Sequence, residues 1–291
     1  METEGHDCIM RISVFAFFLL LVRTAIPFST PADAFQITAE PQTVGPGDPF
    51  LIRITGLSNA HHPAAFFGGR KLMFVPCGED CSMAVCAAGL ELKPGKYRIA
   101  VSEGMRKRRV TITVRRHIPT VMRITLPADK VTLSPDDIQR VEREDNLLKA
   151  LWIEQADKMW DGSFQLPLQN EVSTQFGVKR IINDRKESFH KGIDIRGRAG
   201  EEVRASNSGT VVLAEELYFG GNTLVISHGM GIFTVYMHLD SFGTNTGKDV
   251  LKGDIIGFVG STGRSTGPHL HFGVKVQDVS VNPVAFTKLK L

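Results

Sequence analysis

Between Phe35 and Val114 the chain alternates apolar and polar side chains in short runs. Phe35-Gln36-Ile37-Thr38-Ala39, Phe50-Leu51-Ile52-Arg53-Ile54, Tyr97-Arg98-Ile99-Ala100-Val101 and Val110-Thr111-Ile112-Thr113-Val114 follow the period of two that sends successive side chains to opposite faces of a strand. Gly45-Pro46-Gly47-Asp48, Gly68-Gly69 and Pro94-Gly95 punctuate them as turns. Short strands of this kind predict a β-sandwich of immunoglobulin-like type over residues 35–116. At Ser134 the period changes. A capping hydroxyl, Pro135 at the first helical position and Asp136-Asp137 over the positive end of the dipole start a helix. Ile138, Val141, Leu148, Leu151 and Trp152 give it an apolar stripe, and the pattern predicts one amphipathic helix over 135–158. Beyond residue 170 the strand period returns. Thr210–Ala214, Thr223–Ser227 and Ile232–His238 are rich in β-branched residues, and the tight Gly229-Met230-Gly231 turn makes the last two a hairpin. Asp254–Val259 and His269–Val276 add two more strands around a Gly-rich loop. The expected fold is therefore mainly β: an N-terminal sandwich, a linking α-helix within 117–169, and a C-terminal antiparallel sheet with a groove over 170–291.

The first 34 residues read differently. Arg11 precedes the eleven-residue apolar run Ile12–Val22, and Ala32-Asp33-Ala34 follows. That is the pattern of a secretory signal peptide, cut after Ala34. Eleven helical residues rise about 16 Å, half a hydrocarbon core, so no permanent membrane span is expected after cleavage. Glu2, Glu4 and Asp7 make a poor basic region, and a start at Met10 would give a cleaner one. Cys8 lies ahead of the apolar run, where a lipid-bearing cysteine cannot be. Export to the periplasm or cell envelope is the expectation.

Composition changes the picture little. The chain is 42% apolar and 22% charged, and loss of residues 1–34 removes two Arg and four acids, raising the net charge from +3 to +5. Mild basicity suits an anionic neighbour such as a cell-wall polymer. The one basic block, Arg106-Lys107-Arg108-Arg109, sits inside a predicted strand, so no nucleic-acid partner is expected. Cys77, Cys81 and Cys86 lack a fourth metal ligand and suggest a small local disulfide whose pairing the sequence leaves open. His61 and His62, as neighbours, would face opposite ways on a strand and read as loop residues.

Five of the nine histidines fall beyond residue 170: His190, His228, His238, His269 and His271. His190 precedes Asp194 by four residues, and His269 and His271 share one strand face. His238 ends the hairpin strand, on the face of Thr234 and Tyr236 by simple alternation. Two imidazoles, one carboxylate and an open position for water form the ligand set of a hydrolytic zinc site. Spacing leaves open which of His269 and His271 would bind the metal. No His-Glu-x-x-His is present. His228 reads as a packed hairpin-end residue and Asn222 as a turn residue.

These residues stand in a longer pattern: His190-Lys-Gly-Ile-Asp194-Ile, Val203-Arg-Ala, Gly209-Thr-Val-Val, Tyr236-Met-His238-Leu, Gly253-Asp-x-Ile-Gly257 and Gly260-Ser-Thr-Gly-Arg-Ser-Thr-Gly-Pro-His269-Leu-His271-Phe. Over about a hundred residues it resembles the lysostaphin/LytM-type zinc metallopeptidases, and the sandwich and helix more loosely resemble those of exported members. The resemblance implies one zinc ion held by His190, Asp194 and His271, with His238 and His269 as general base and transition-state stabiliser. It implies hydrolysis of peptide bonds in bacterial peptidoglycan. Some relatives have lost ligands and only activate other wall hydrolases, which makes a non-catalytic regulator the alternative. Arg180 and Asn183, ahead of the first ligand, are candidate groove-lining residues for substrate, and Arg264, Ser265 and Thr266 candidate rim residues. The bond cut and the oligomeric state are not legible in the sequence.

Overall fold

The computed structural model describes residues 35–57, 62–125, 133–153, 156–184 and 186–291. The signal-peptide reading of 1–34 and the position of His61 lie outside them. Phe35–Leu291 form one compact unit. Among the described residues no helix is long and apolar enough to cross a membrane.

The molecule is mainly β. In the first hundred described residues two sheets face each other. One runs Gln36–Glu40, Pro49–Thr55, Cys81–Ala87, Phe74–Gly78, all antiparallel. The other runs Thr43–Val44, Arg106–Val114, Gly95–Glu103, Ala64–Phe67, Arg70–Lys71, with its first pair parallel. Phe50, Ile52, Ile54 and Cys86 of the first sheet meet Ile99, Val101, Ile112 and Val114 of the second in a shared apolar core. The alternation of those strands makes this inner face. A disulfide joins Cys77 to Cys81 across the tip of one hairpin, while Cys86 is a buried free thiol.

The same first sheet is buried on its other face too. Leu51, Val75, Met83 and Val85 point away from the sandwich core and into a cluster with Trp160, Tyr236, Leu270 and Phe286. Pro49 to Ile52 are accordingly buried without a break, so this strand is a double-faced one and not the half-exposed strand that alternation suggests.

The helix occupies Pro135–Trp152. Ser134 caps it, and a reciprocal bond between Ser134 and Asp137 completes a capping box. It ends six residues before the expected 158. Past Trp152 the backbone leaves the helix for the hairpin turn: Met230 N–H donates to Ala156 O and Met159 N–H to His228 O. Trp152 packs edge-on against Phe233, 5.2 Å between ring centroids, and so docks the helix on the large sheet. The linker also holds a strand the sequence pattern did not predict, Val121–Ile124, which pairs in parallel with Lys179–Ile182.

The large sheet follows the order Val172–Thr174, Ile193–Arg196, His269–Val276, Ile232–Phe242, Gly221–Gly229, Gly209–Leu217, Asp249–Val250. One face, bearing Ile193, Leu224, Tyr236, Leu270 and Phe272, forms the core. The opposite face carries Phe233, Val235 and Met237 under the helix at one end. His238, His269 and His271 lie on this second face.

Candidate metal centre

Strand register builds the site. Ile193–Arg196 and His269–Val276 are antiparallel neighbours, with Asp194 directly opposite His271 and Arg196 opposite His269. Cross-strand partners project to the same side, so a carboxylate and two imidazoles arrive together. His190 enters from the preceding turn, held by His190 N–H to Val178 O and Gly177 N–H to His190 O. The turn passes so close to the next strand that Gly192 has no room for a side chain. A Cβ there would lie 2.5 Å from Phe272 O and 2.6 Å from His271 Nε2.

His238 reaches the site by a different device. Simple alternation from Tyr236 would aim it into the core, and this expectation is overturned. Asn222 pairs with Leu239 but Leu224 with Tyr236, so the strand Ile232–Phe242 holds one extra residue there. At this bulge His238 takes a left-handed backbone, φ 64°, and its ring turns to the face of His269 and His271, with ring centroids 4.9 and 6.2 Å away. Bulges re-aim side chains in this way beside functional sites. Its amide donates to Gly220 O at 2.8 Å.

The cluster is tight. His190 Nε2 lies 2.9 Å from Asp194 Oδ1 and 3.0 Å from His271 Nδ1, and His271 Nδ1 is 2.9 Å from the same oxygen. His269 Nε2 stands 3.8 Å from Asp194 Oδ1. His190 and Asp194 are 2% and 7% exposed, deep enough to exclude bulk water from the ligand plane.

Backbone carbonyls set the tautomers. His190 Nδ1 faces Gln175 O at 2.9 Å, His238 Nδ1 faces Thr262 O at 2.9 Å, and His269 Nδ1 faces Gly267 O at 2.8 Å. A carbonyl can only accept, so each Nδ1 carries a proton and Nε2 is the nitrogen each ring turns inward. In His190 that nitrogen meets a carboxylate oxygen at contact distance. A ring nitrogen and a carboxylate oxygen so placed are held by a cation shared between them, a proton or a metal ion. The donor set thus fits a metal ion held by His190, Asp194 and His271, whose ligand atoms all lie within 4.8 Å of one another.

The electrostatics point the same way. Burial alone would raise the Asp194 carboxyl, but its contacts with His190 and His271 outweigh that and hold it below the usual carboxylate range. Burial, with His271 adding to it, pushes His238 down to about 4, so that ring is neutral at pH 7, and burial also lowers His271.

Arg180 and Asn183 separate in space. Arg180 Nη2 donates to Asp194 Oδ2 at 2.8 Å, holding the carboxylate from behind. Asn183 sits at the hairpin tip beyond Ile182, with φ 49° and its amide on Ile124 O. Thr262 was not singled out by the sequence. It pins His238 through its carbonyl, while its hydroxyl donates to Leu239 O and accepts from Asn222 N–H. Its only sequence signal is its place in the Gly-rich loop. Ser265 Oγ lies 3.2 Å from His269 Nδ1.

Open space flanks the cluster on two sides. A cavity of about 440 Å³ lies between the helix, through Val141 and Leu148, and His238, Arg264 and His271. A second, of about 260 Å³, lies beside His269 and Asp194 against Met122 and Ile124.

Residues 188–283 match the model of peptidase family M23. DD-carboxypeptidase/endopeptidase Mpg of Neisseria meningitidis serogroup B is 40% identical over 114 residues, covering 39% of this chain and 26% of that protein. Peptidoglycan DD-endopeptidase ShyA of Vibrio cholerae is 37% identical over 112 residues, covering 38% and 26%. The similarity thus spans about a quarter of the length of these relatives. A Pseudomonas aeruginosa protein whose crystal structure is described as an M23 peptidase superposes with TM-score 0.64 and 25% identity, covering 83% of this chain and 93% of that one. With the register of Asp194 and His271 and the family match falling on the same strands, residues 188–283 are a domain of peptidase family M23.

Proposed function

We propose that this protein is an exported zinc endopeptidase that hydrolyses peptide bonds in bacterial peptidoglycan. One observation carries the reading: His190 Nε2, Asp194 Oδ1 and His271 Nδ1 converge to 2.9–3.0 Å of one another, as the donors around a single cation do. Two imidazoles and a carboxylate, with one side open to a cavity, are the donors zinc takes in hydrolytic sites. A zinc ion bound there supplies Lewis acidity, acidifying a water and polarising a carbonyl. His190, Asp194 and His271 hold it, and Arg180 orients Asp194 by donating to its Oδ2. His238 is neutral, with Nε2 free to accept a proton from an attacking water. His269, with Nδ1 turned to Gly267 O, presents Nε2 from the neighbouring strand, and in the doubly protonated ring that nitrogen donates to the oxygen that gains charge. The names of the Vibrio cholerae relatives, peptidoglycan DD-endopeptidases, support the substrate, and a cell-envelope location follows from it.

Purified protein should contain about one zinc per chain and release peptides from isolated peptidoglycan. Asp194→Ala should lose the metal, and His190→Ala or His271→Ala should lower the rate by about 100-fold or more. Hydrolysis that survives both histidine substitutions, or that a chelator leaves untouched, would rule the mechanism out. Full metal loading without hydrolysis would favour a regulator of other wall hydrolases.

A further inference from the structure

The two cavities beside the cluster share three lining residues: Arg180, His238 and Arg264. Two guanidinium groups therefore stand where the cavities meet, next to the proposed reaction centre. Their situations differ. Arg180 spends its charge on Asp194 Oδ2. Arg264 lies over the face of Phe219, 4.2 Å from guanidinium carbon to ring centroid, and its amide donates to Phe219 O at 3.0 Å. Among the described residues no carboxylate lies within ion-pair distance of it and no oxygen accepts from its guanidinium. Aromatic stacking fixes the plane of a guanidinium and leaves its N–H edge free for an in-plane acceptor.

Half-burial makes such an arrangement costly without a purpose. Arg264 is partly desolvated and faces the like charge of Arg180, and both effects lower its pKa. The single acid in the cluster, Asp194, already answers to Arg180 and two histidines. On the helix side the larger cavity also holds Glu142, Glu144 and Asp145, of which Glu144 pairs with Arg140 and Asp145 with Lys149. In the smaller cavity Asp194 is the one carboxylate among the described residues, so there the charge of Arg264 is left unanswered beside Met122, Ile124 and Ile182. The complementary group is a planar anion, and in a peptide that is a carboxylate.

We propose that Arg264 is a specificity-determining residue that pairs with a free carboxylate of the substrate, borne within a residue or two of the bond that is cut. The assignment rests on the peptidase reading above. It makes the enzyme selective for peptides with a free carboxylate over the same peptides carrying a carboxamide. Zinc would increase the positive field and strengthen the preference.

The test uses two synthetic peptides that match a cleaved peptidoglycan fragment and differ only in carboxylate versus carboxamide at that group. The full chain, Arg264→Gln and Arg264→Lys are compared for kcat/KM and, in chelator, for binding by calorimetry. A charge-assisted hydrogen bond predicts a preference of roughly 10- to 100-fold for the carboxylate by the unmodified chain. Arg264→Gln should bring the carboxylate peptide down to the carboxamide rate while leaving the carboxamide rate within about 2-fold, and Arg264→Lys should recover part of the difference. Retained carboxamide hydrolysis also shows that the variant is folded. Equal cleavage and equal binding of the two peptides by the unmodified chain overturns the inference and leaves the peptidase reading standing. So does an equal loss on both peptides in Arg264→Gln, which would point to a backbone carbonyl as the acceptor. A carboxylate preference in binding that Arg264→Gln abolishes, with no cleavage of either peptide, sustains the carboxylate site and removes the peptidase. No binding or cleavage of either peptide overturns both.

Discussion

His228 is wholly buried on the core face of the large sheet, and its two nitrogens are both engaged. Nδ1 donates to Ser208 O at 2.8 Å, and Nε2 lies 2.8 Å from Thr234 Oγ1, itself 3.0 Å from Tyr236 Oη. Phe164 packs edge-on to its ring at 4.8 Å. In this setting burial outweighs the carbonyl contact and pushes the pKa down to about 4. An unfolded histidine titrates near 6.5. Between the two values the unfolded chain binds more protons than the folded one, so stability rises with pH across that window. The contribution is fully present above about pH 6.5 and is lost as pH falls towards 4, up to about 3 kcal/mol. Thermal melts at pH 7.5 and 5.0 should show a marked acid destabilisation, and His228→Gln should flatten that slope even though it lowers the melting temperature at both pH values. Parallel slopes in the two proteins would mean that His228 is not the titrating group.

At the scale of elements, the site depends on two backbone devices: the turn His190–Asp194 and the bulge at His238. Gly192→Ala tests the first. Its new methyl would meet a backbone carbonyl and the ring of His271 inside van der Waals contact, and neither can retreat, because both belong to a central strand paired on two sides. A loss of about 1–3 kcal/mol and a fall in zinc content are expected; calorimetry and metal analysis on one preparation would read both. Unchanged metal binding would mean the turn can open without cost. The turn at His190 and the pairing of Ile193–Arg196 with His269–Val276 carry no local sequence signal, whereas the common face of His269 and His271 was legible in their period of two. The bulge was not. Period two treats Ile232–His238 as uniform, and the extra residue shows only in the pairing of Asn222 and Leu224 with a partner strand. Thr262 was missed for the same reason, because it acts through a carbonyl that every residue possesses. The start of the helix was legible in its capping residues, whereas its end was not, since hydrogen bonds to a hairpin turn from a distant part of the chain take over at Ala156 and Met159.

For the molecule as a whole, the sheet of Gln36–Glu40, Pro49–Thr55, Cys81–Ala87 and Phe74–Gly78 decides how stability is shared. Its inner face closes the sandwich core and its outer face closes the core beneath the metal centre. Polar ties add to this: Asn282 N–H donates to Gly47 O, Arg53 Nη2 to Lys290 O and Gln277 Nε2 to Lys71 O. A sheet that serves two cores couples them, because neither can open without exposing apolar surface of the other. The described chain should therefore unfold as one cooperative unit. Two residues make this measurable from opposite sides. Trp160 is buried in the core under the metal centre, and the Cys86 thiol is buried in the sandwich. Tryptophan fluorescence and Cys86 alkylation followed by peptide mass spectrometry should give the same urea midpoint. Leu51 is 1% exposed and belongs to the core beneath the metal centre. Leu51→Ala should cost about 2–5 kcal/mol and move both midpoints together, although Cys86 lies in the other core. A shift in fluorescence alone, with Cys86 protected to the original urea concentration, would show that the sandwich holds without its neighbour and that the shared sheet transmits nothing.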